Sequence, residues 1–259
     1  MPLVALVFLS FISFNGVLGD TSASRMIPPE DRAVLQRRRV VLVRPLRLTK
    51  QFPYKKRAVV NYPIVSGLSD PEVLRRVRAL LNVKNVFDYS LKEYSDDTWL
   101  DEFDYRVNHN ANFLLDITFS QSGSAAYPDT QERHFLIDLK DGSIVKASDA
   151  FAPDKLALLA AAVDRKLQRE LRQLAAEMDK DKNAGQEERD SIKQAYENLK
   201  YETAHLDEFS VGPKGITFLY DAGFPHVIKA LEPEGKYVFP FAELKPYIKP
   251  DGPLGQFVR

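Results

Sequence analysis

The sequence holds no cysteine and a single tryptophan among 259 residues. Without a thiol there is no disulfide, no lipid-anchored cysteine, no thiolate nucleophile and no cysteine-ligated zinc. The chain also lacks a net charge. Its 36 Lys and Arg balance 36 Asp and Glu, so nothing pulls it as a whole toward nucleic acid. It lacks Gly-x-x-x-x-Gly-Lys and Gly-x-Gly-x-x-Gly, the loops that cradle phosphates, and Gly-x-Ser-x-Gly, the elbow that presents a serine nucleophile. The four histidines, His109, His134, His205 and His226, form no His-x-x-x-His or His-x-His pair. No metal site is therefore expected, and no cofactor.

The longest apolar run is Leu3–Phe14, broken only by Ser10 and Ser13. It is shorter than the roughly 20 apolar residues of a membrane span. Val17-Leu18-Gly19 follows, with small residues where signal peptidase requires them, so the pattern predicts export with cleavage after Gly19. No Lys or Arg precedes the run, and an uncleaved anchor is the other reading. The mature chain should be periplasmic or secreted, with no membrane span. Hydrophobic residues make up 44% of the sequence, enough for a core that needs no disulfides. Between Arg25 and Arg57 stand eleven Lys and Arg against Glu30 and Asp31, a net charge of +9 in an otherwise acidic chain. Such a segment either meets an anionic partner or lines a solvated strand edge and keeps it from aggregating.

Periodicity predicts an α+β domain. Val40–Leu48 and Ala58–Val65 read as strands, with Pro63 near an edge or bend. Ser69-Asp70-Pro71-Glu72 opens a helix carrying Val73, Leu74, Val77, Leu80 and Leu81 at helical spacing. Asp104–Asn108 alternates as a strand does, and Phe113, Leu115, Ile117 and Phe119 share one face of the next. His134–Leu139 is another strand, turned back at Asp141-Gly142. Leu156, Leu159, Ala160, Val163, Leu167, Leu171, Leu174 and Met178 form one stripe on a long helix, and Ile192, Ala195, Tyr196 and Leu199 mark a second. Short strands follow at Phe209–Val211, Ile216–Tyr220 and Tyr237–Phe239, then a short helix near Phe241–Tyr247. Strands and helices come in runs, which predicts antiparallel sheets with the long helix pair packed on one face. The expected division is a signal peptide (1–19), a linker (20–39), two α+β subdomains (40–120 and 121–250) and a tail (251–259).

Few residues suggest chemistry. Asp96, Asp97, Asp101, Glu102 and Asp104 surround Trp99, and two acids beside an aromatic can form a sugar-cleaving site. Neighbours on a strand point to opposite faces, however, and an acidic solvated turn explains the cluster as well. Tyr220, Phe224, His226, Tyr237, Phe239, Phe241 and Tyr247 crowd the C-terminus, where they either fill a core or stack on a ligand. Tyr127 sits in a loop of small and turn-forming residues, Ser122–Asp129, and is a candidate contact residue. The ligand-binding candidates are thus Tyr127, Trp99, Asp101, Tyr220 and His226; no catalytic residue is assigned.

Several segments occur in a familiar order: Tyr127-Pro128, Phe135–Gly142, Ser148-Asp149-Ala150-Phe151, Phe209–Phe218 and Gly235–Leu244. Across residues 55–250 the chain resembles the extracytoplasmic domain of unknown function 3298. A small domain numbered 4163 often precedes it, in the place of residues 40–120 here. Relatives implied by the resemblance include the sensor region of a lysozyme-responsive anti-sigma factor and the non-catalytic part of a peptidoglycan deacetylase. Where that family often reads Gly-Gly-Ala-His-Pro, this sequence has Ala125-Ala126-Tyr127-Pro128, a phenol in the place of the imidazole. The resemblance implies a bare outer module that binds or senses an envelope protein or a cell-wall glycan. The alternatives are an enzyme acting on cell-wall polymer through the acids near Trp99, and a structural envelope protein.

Overall fold

The structure, a computed structural model, describes residues 42–51, 57–87, 100–124, 128–180 and 185–259. Residues Arg37–Arg259 group as one compact unit; Met1–Gln36 counts as a second and lies outside the described residues. The leader run, its cleavage site and most of the basic segment therefore lie outside them too.

Six strands form the larger sheet, in chain order: β1 (Leu42–Gln51), β2 (Arg57–Ser66), β3 (Leu100–Ala111), β4 (Leu114–Ser124), β5 (Pro128–Asp138) and β6 (Ser143–Ile144). All pairings are antiparallel except β2–β3, which is parallel at Val59–Glu102 and Val60–Phe103. The exception to the expected antiparallel order has a plain cause. Helices α1 (Pro71–Leu80) and α2 (Val83–Phe87) lie in the connection, and a crossover of that length can return the chain to its starting end. The expected cap is present: the Asp70 carboxylate accepts from the Glu72 and Val73 amides at 2.8 and 3.2 Å.

After α3 (Ala147–Ala150) comes the long helix α4 (Leu156–Met178), then α5 (Gln186–Glu197). A three-stranded antiparallel sheet follows: β7 (Phe209–Val211), β8 (Gly215–Leu219) and β9 (Lys236–Pro240), with α6 (Phe241–Leu244) after it. The stripe on α4 buries Leu159, Ala160, Val163, Leu167 and Leu171; Leu174 and Met178 lie half-buried at its end. These residues share a core with Phe209, Val211, Ile216, Phe218, Tyr237 and Phe239 of the smaller sheet. The C-terminal aromatics are thus mainly core. A second core joins α1 and α2 to the other face of the larger sheet, through Val73, Val77, Val86, Phe87, Phe103, Leu115, Ile117 and Phe119.

Strand β4 serves both cores, because its side chains alternate: Leu114 belongs to one, Leu115 and Ile117 to the other. A boundary at residue 120 falls inside this strand. Residues 251–259 are no loose tail: Leu254 is fully buried, and Phe257 stacks on Phe241 with ring centroids 4.7 Å apart. Phe113 departs from the expected pattern as well. Ala111 pairs with Leu114, so Asn112 and Phe113 alone make the β3–β4 turn, with φ of 53° and 62°. Phe113 is 51% exposed instead of sharing the buried face of Leu115, Ile117 and Phe119. The Asp141-Gly142 turn is present, but Asp138 pairs with Ser143, so the loop is four residues long. Gly142 has φ 77°, and a Cβ there would meet Arg76 Cβ at 3.0 Å and Val73 O at 3.1 Å.

Candidate functional site

A buried polar cluster lies between the two sheets. Asp116, on β4, is fully buried. A lone acid in the run Leu114-Leu115-Asp116-Ile117 cannot reach water on either face of the strand, so its oxygens must be satisfied internally. Ser210 Oγ donates to Asp116 Oδ1 at 3.3 Å, and the Val211 amide donates to Oδ2 at 2.5 Å. The Val211 amide points away from β8, because β7 is the edge of its sheet. Asp116 therefore takes the place a further strand would fill, and ties the edge of the small sheet to the middle of the large one.

A β-bulge supplies the third donor. Val107 pairs with Ile117 and His109 with Asp116, which leaves Asn108 as an extra residue on β3. The bulge brings the Asn108 side chain to the Asp116 face. Its Nδ2 donates to Asp116 Oδ1 at 2.7 Å and to Thr118 Oγ1 at 2.9 Å, and its Oδ1 accepts from Arg106 Nε at 2.9 Å. On the other side, His134 Nδ1 lies 3.2 Å from Thr118 Oγ1 and 3.6 Å from Asp116 Oδ1. His134 Nε2 is buried and has no hydrogen-bond partner among the described residues. Burial pushes the Asp116 carboxyl above its ordinary range; the nearby imidazole and the three donors pull it partly back.

This cluster contains an acid, an imidazole and a hydroxyl, yet it is a joint. The hydrogen bonds of Asp116 are taken up by the two sheets, and the residue has no exposed surface to offer a substrate. Lys236 of β9 and Glu132 of β5 add an ion pair across the same junction at 3.5 Å.

Of the residues singled out in the sequence, Asp101 and Tyr220 are placed elsewhere. Asp101 is the extra residue of a second bulge on β3, between the pairs Leu100–Gly123 and Glu102–Ser122, and is half-buried. Asp104 Oδ1 accepts from the Tyr105 amide at 2.8 Å. Tyr220 follows β8 and packs on Tyr201 (5.7 Å between centroids) and edge-on to His205 (5.1 Å); burial raises its hydroxyl pKa. Asp101 and Tyr220 thus belong to different sheets and form no common site. Trp99, Tyr127, Asp96 and Asp97 lie outside the described residues, as does the side chain of His226.

The sequence reading missed Asp116, His134, Asn108 and Ser210. Asp116 could have been found, since it interrupts a strand apolar on both faces. Nothing in the sequence marks the bulge at Asn108.

No family profile and no curated protein matches the chain. Solved structures do. A DUF3298 family protein from Pseudomonas aeruginosa superposes with a TM-score of 0.51 at 14% identity, over 82% of this chain and 95% of that one. A member of the same family from Bacteroides fragilis gives 0.50 at 13% identity, over 85% and 96%. Likeness at such low identity speaks for backbone architecture, and on that ground this chain has the fold of the DUF3298 proteins.

Proposed function

We propose that this chain is exported and acts outside the cytoplasm as a non-catalytic binding or sensing module for an envelope protein or cell-wall glycan. The leader-like run Leu3–Phe14 supports export. No helix among the described residues is long and apolar enough to cross a membrane.

The observation that carries the reading is Phe113. A two-residue hairpin turn with positive φ at both positions favours Asn-Gly, and an aromatic residue at its second position is strained by about 1–3 kcal/mol. Phe113 accepts this conformation and remains exposed to water. Its backbone is held in place: the Leu139 amide donates to Phe113 O at 2.8 Å, and Gln256 Nε2 donates to Asn112 O at 3.2 Å. A rigid, protruding aromatic is a suitable anchor for a partner's pocket or a sugar ring.

Phe113→Gly tests this, because glycine removes the ring and fits the turn. The wild-type chain is first used to capture a partner from envelope extract, and the purified partner is then titrated. Affinity should fall at least fivefold, while unfolding free energy stays within about 1 kcal/mol of wild type. Unchanged affinity with a clear loss of stability makes Phe113 a structural residue and removes the main support for the reading. The enzyme alternative rests on the acidic cluster near Trp99, namely Asp96, Asp97, Asp101, Glu102 and Asp104; turnover of peptidoglycan by the purified chain, lost in Asp101→Asn, would establish it instead.

A further inference from the structure

We infer that the outer edge of β1 is a docking site for an extended acidic segment of a partner protein, which would add one strand to the six-stranded sheet. This rests on the reading of the chain as a binding module, and it names the surface and the kind of partner.

Pro45 and Pro63 face each other in the β1–β2 ladder. In an antiparallel pair, facing residues either exchange both N–H···O bonds or exchange none. Proline has no N–H, so this pair exchanges none, and the phase of the whole ladder follows. Arg44, Leu46, Leu48 and Lys50 bond inward to β2. Val43, Arg47, Thr49 and Gln51 turn their amides outward, together with the carbonyls of those residues and of Pro45. Among the described residues no strand pairs with that side, since β1 ends the sheet order. From Arg47 onward the edge offers outward donors and acceptors at every second residue, the pattern that strand addition uses. On β2, the missing amide of Pro63 falls beyond the short stretch paired with β3, which is why a proline is tolerated in an interior strand.

Charge selects the partner. Strands β1 and β2 carry Arg44, Arg47, Lys50 and Arg57 and no acid. A second copy of this chain paired edge to edge would set like charges opposite each other, which is unfavourable. A strand bearing Asp or Glu is matched instead. Arg44 is exposed and faces Ile64, which is 43% exposed, so one cross-strand row offers a cation beside an aliphatic surface. A segment alternating acidic and β-branched residues fits such a row.

The probe is a fluorescein-labelled ten-residue peptide of alternating Glu and Val, titrated with the full chain and read by anisotropy; a Lys-Val peptide is the control. The Glu-Val peptide should bind and the Lys-Val peptide should not. Thr49→Pro should weaken binding at least tenfold with an unchanged Tm, because it deletes an outward donor and leaves the β1–β2 ladder intact. Arg44→Glu should weaken it similarly without touching the backbone. The inference is overturned if the Glu-Val peptide fails to bind, if both peptides bind alike, or if Thr49→Pro and Arg44→Glu bind as wild type does. A chain that ignores the peptide yet loses its captured partner on Phe113→Gly refutes the β1 site alone and keeps the module. Loss of neither refutes both. Concentration-dependent dimerisation abolished by Thr49→Pro would assign the edge to a second copy and refute the acidic partner.

Discussion

Replacing Asp116 by asparagine tests whether one buried carboxylate joins the two sheets. Asparagine keeps the size of the side chain but offers one acceptor atom where the carboxylate offers two. Asp116 Oδ2 accepts from the Val211 amide, and Oδ1 from Asn108 and Ser210. An asparagine amide group must therefore face at least one of these donors, leaving a buried donor unmatched at a cost of about 1–3 kcal/mol. Asp116→Ala strands all three and leaves a void, so it should cost more, about 3–5 kcal/mol. Urea unfolding followed by far-ultraviolet circular dichroism gives both numbers, with the slope m showing whether the transition remains a single step. The dependence on pH adds a second check. The Asp116 pKa is raised in the folded chain above its ordinary 3.8. Its contribution to stability is thus fully present below about pH 3.8 and is lost as pH rises through the raised folded value. Asparagine has no such term. By this linkage alone, wild type loses stability as pH rises through the raised folded value, whereas Asp116→Asn does not. A gap between the two below about 0.5 kcal/mol at every pH would refute the joint as described.

Other consequences follow from the same structure. Leu167, fully buried on α4, should cost about 2–5 kcal/mol as Leu167→Ala in chemical unfolding. Tyr62→Phe removes a 2.9 Å hydrogen bond to Leu81 O that ties β2 to the end of α1, and should lower unfolding free energy by about 1 kcal/mol. Gly142→Ala meets both a positive φ and the Val73 carbonyl, and should lower Tm measurably, whereas Gly185→Ala, with open space around it, should not. Mass spectrometry of the exported protein should find Asp20 at the mature N-terminus; an intact Met1 in cytoplasmic protein would contradict export.

The sequence was most informative where one rule acted alone. The stripe from Leu156 to Met178, the cap at Asp70 and the alternation of Leu115, Ile117 and Phe119 each follow from a single periodicity, and the structure places them as expected. It was least informative where tertiary contacts decide. Phe113 continues the odd-numbered alternation perfectly, and only the pairing of Ala111 with Leu114 turns it out of the strand. Asp116 and Ser210 are 94 residues apart, and a bulge that changes the face of Asn108 leaves no mark in composition. His134 reads as an ordinary lone histidine because its partners, Thr118 and Asp116, are brought to it by the β4–β5 register. The spacing of the C-terminal aromatics suits a core or a stacking surface equally, and burial of Tyr237 and Phe239 shows that it serves the core.

The most direct test of the binding-module reading is a side-by-side capture from envelope extract on immobilised wild-type and Phe113→Gly chains, quantified by mass spectrometry. The reading expects one component held by the wild type and depleted at least fivefold on the variant, with both resins carrying equally folded protein. Identical profiles on the two resins, or a wild-type chain that retains nothing and instead degrades peptidoglycan, would contradict it.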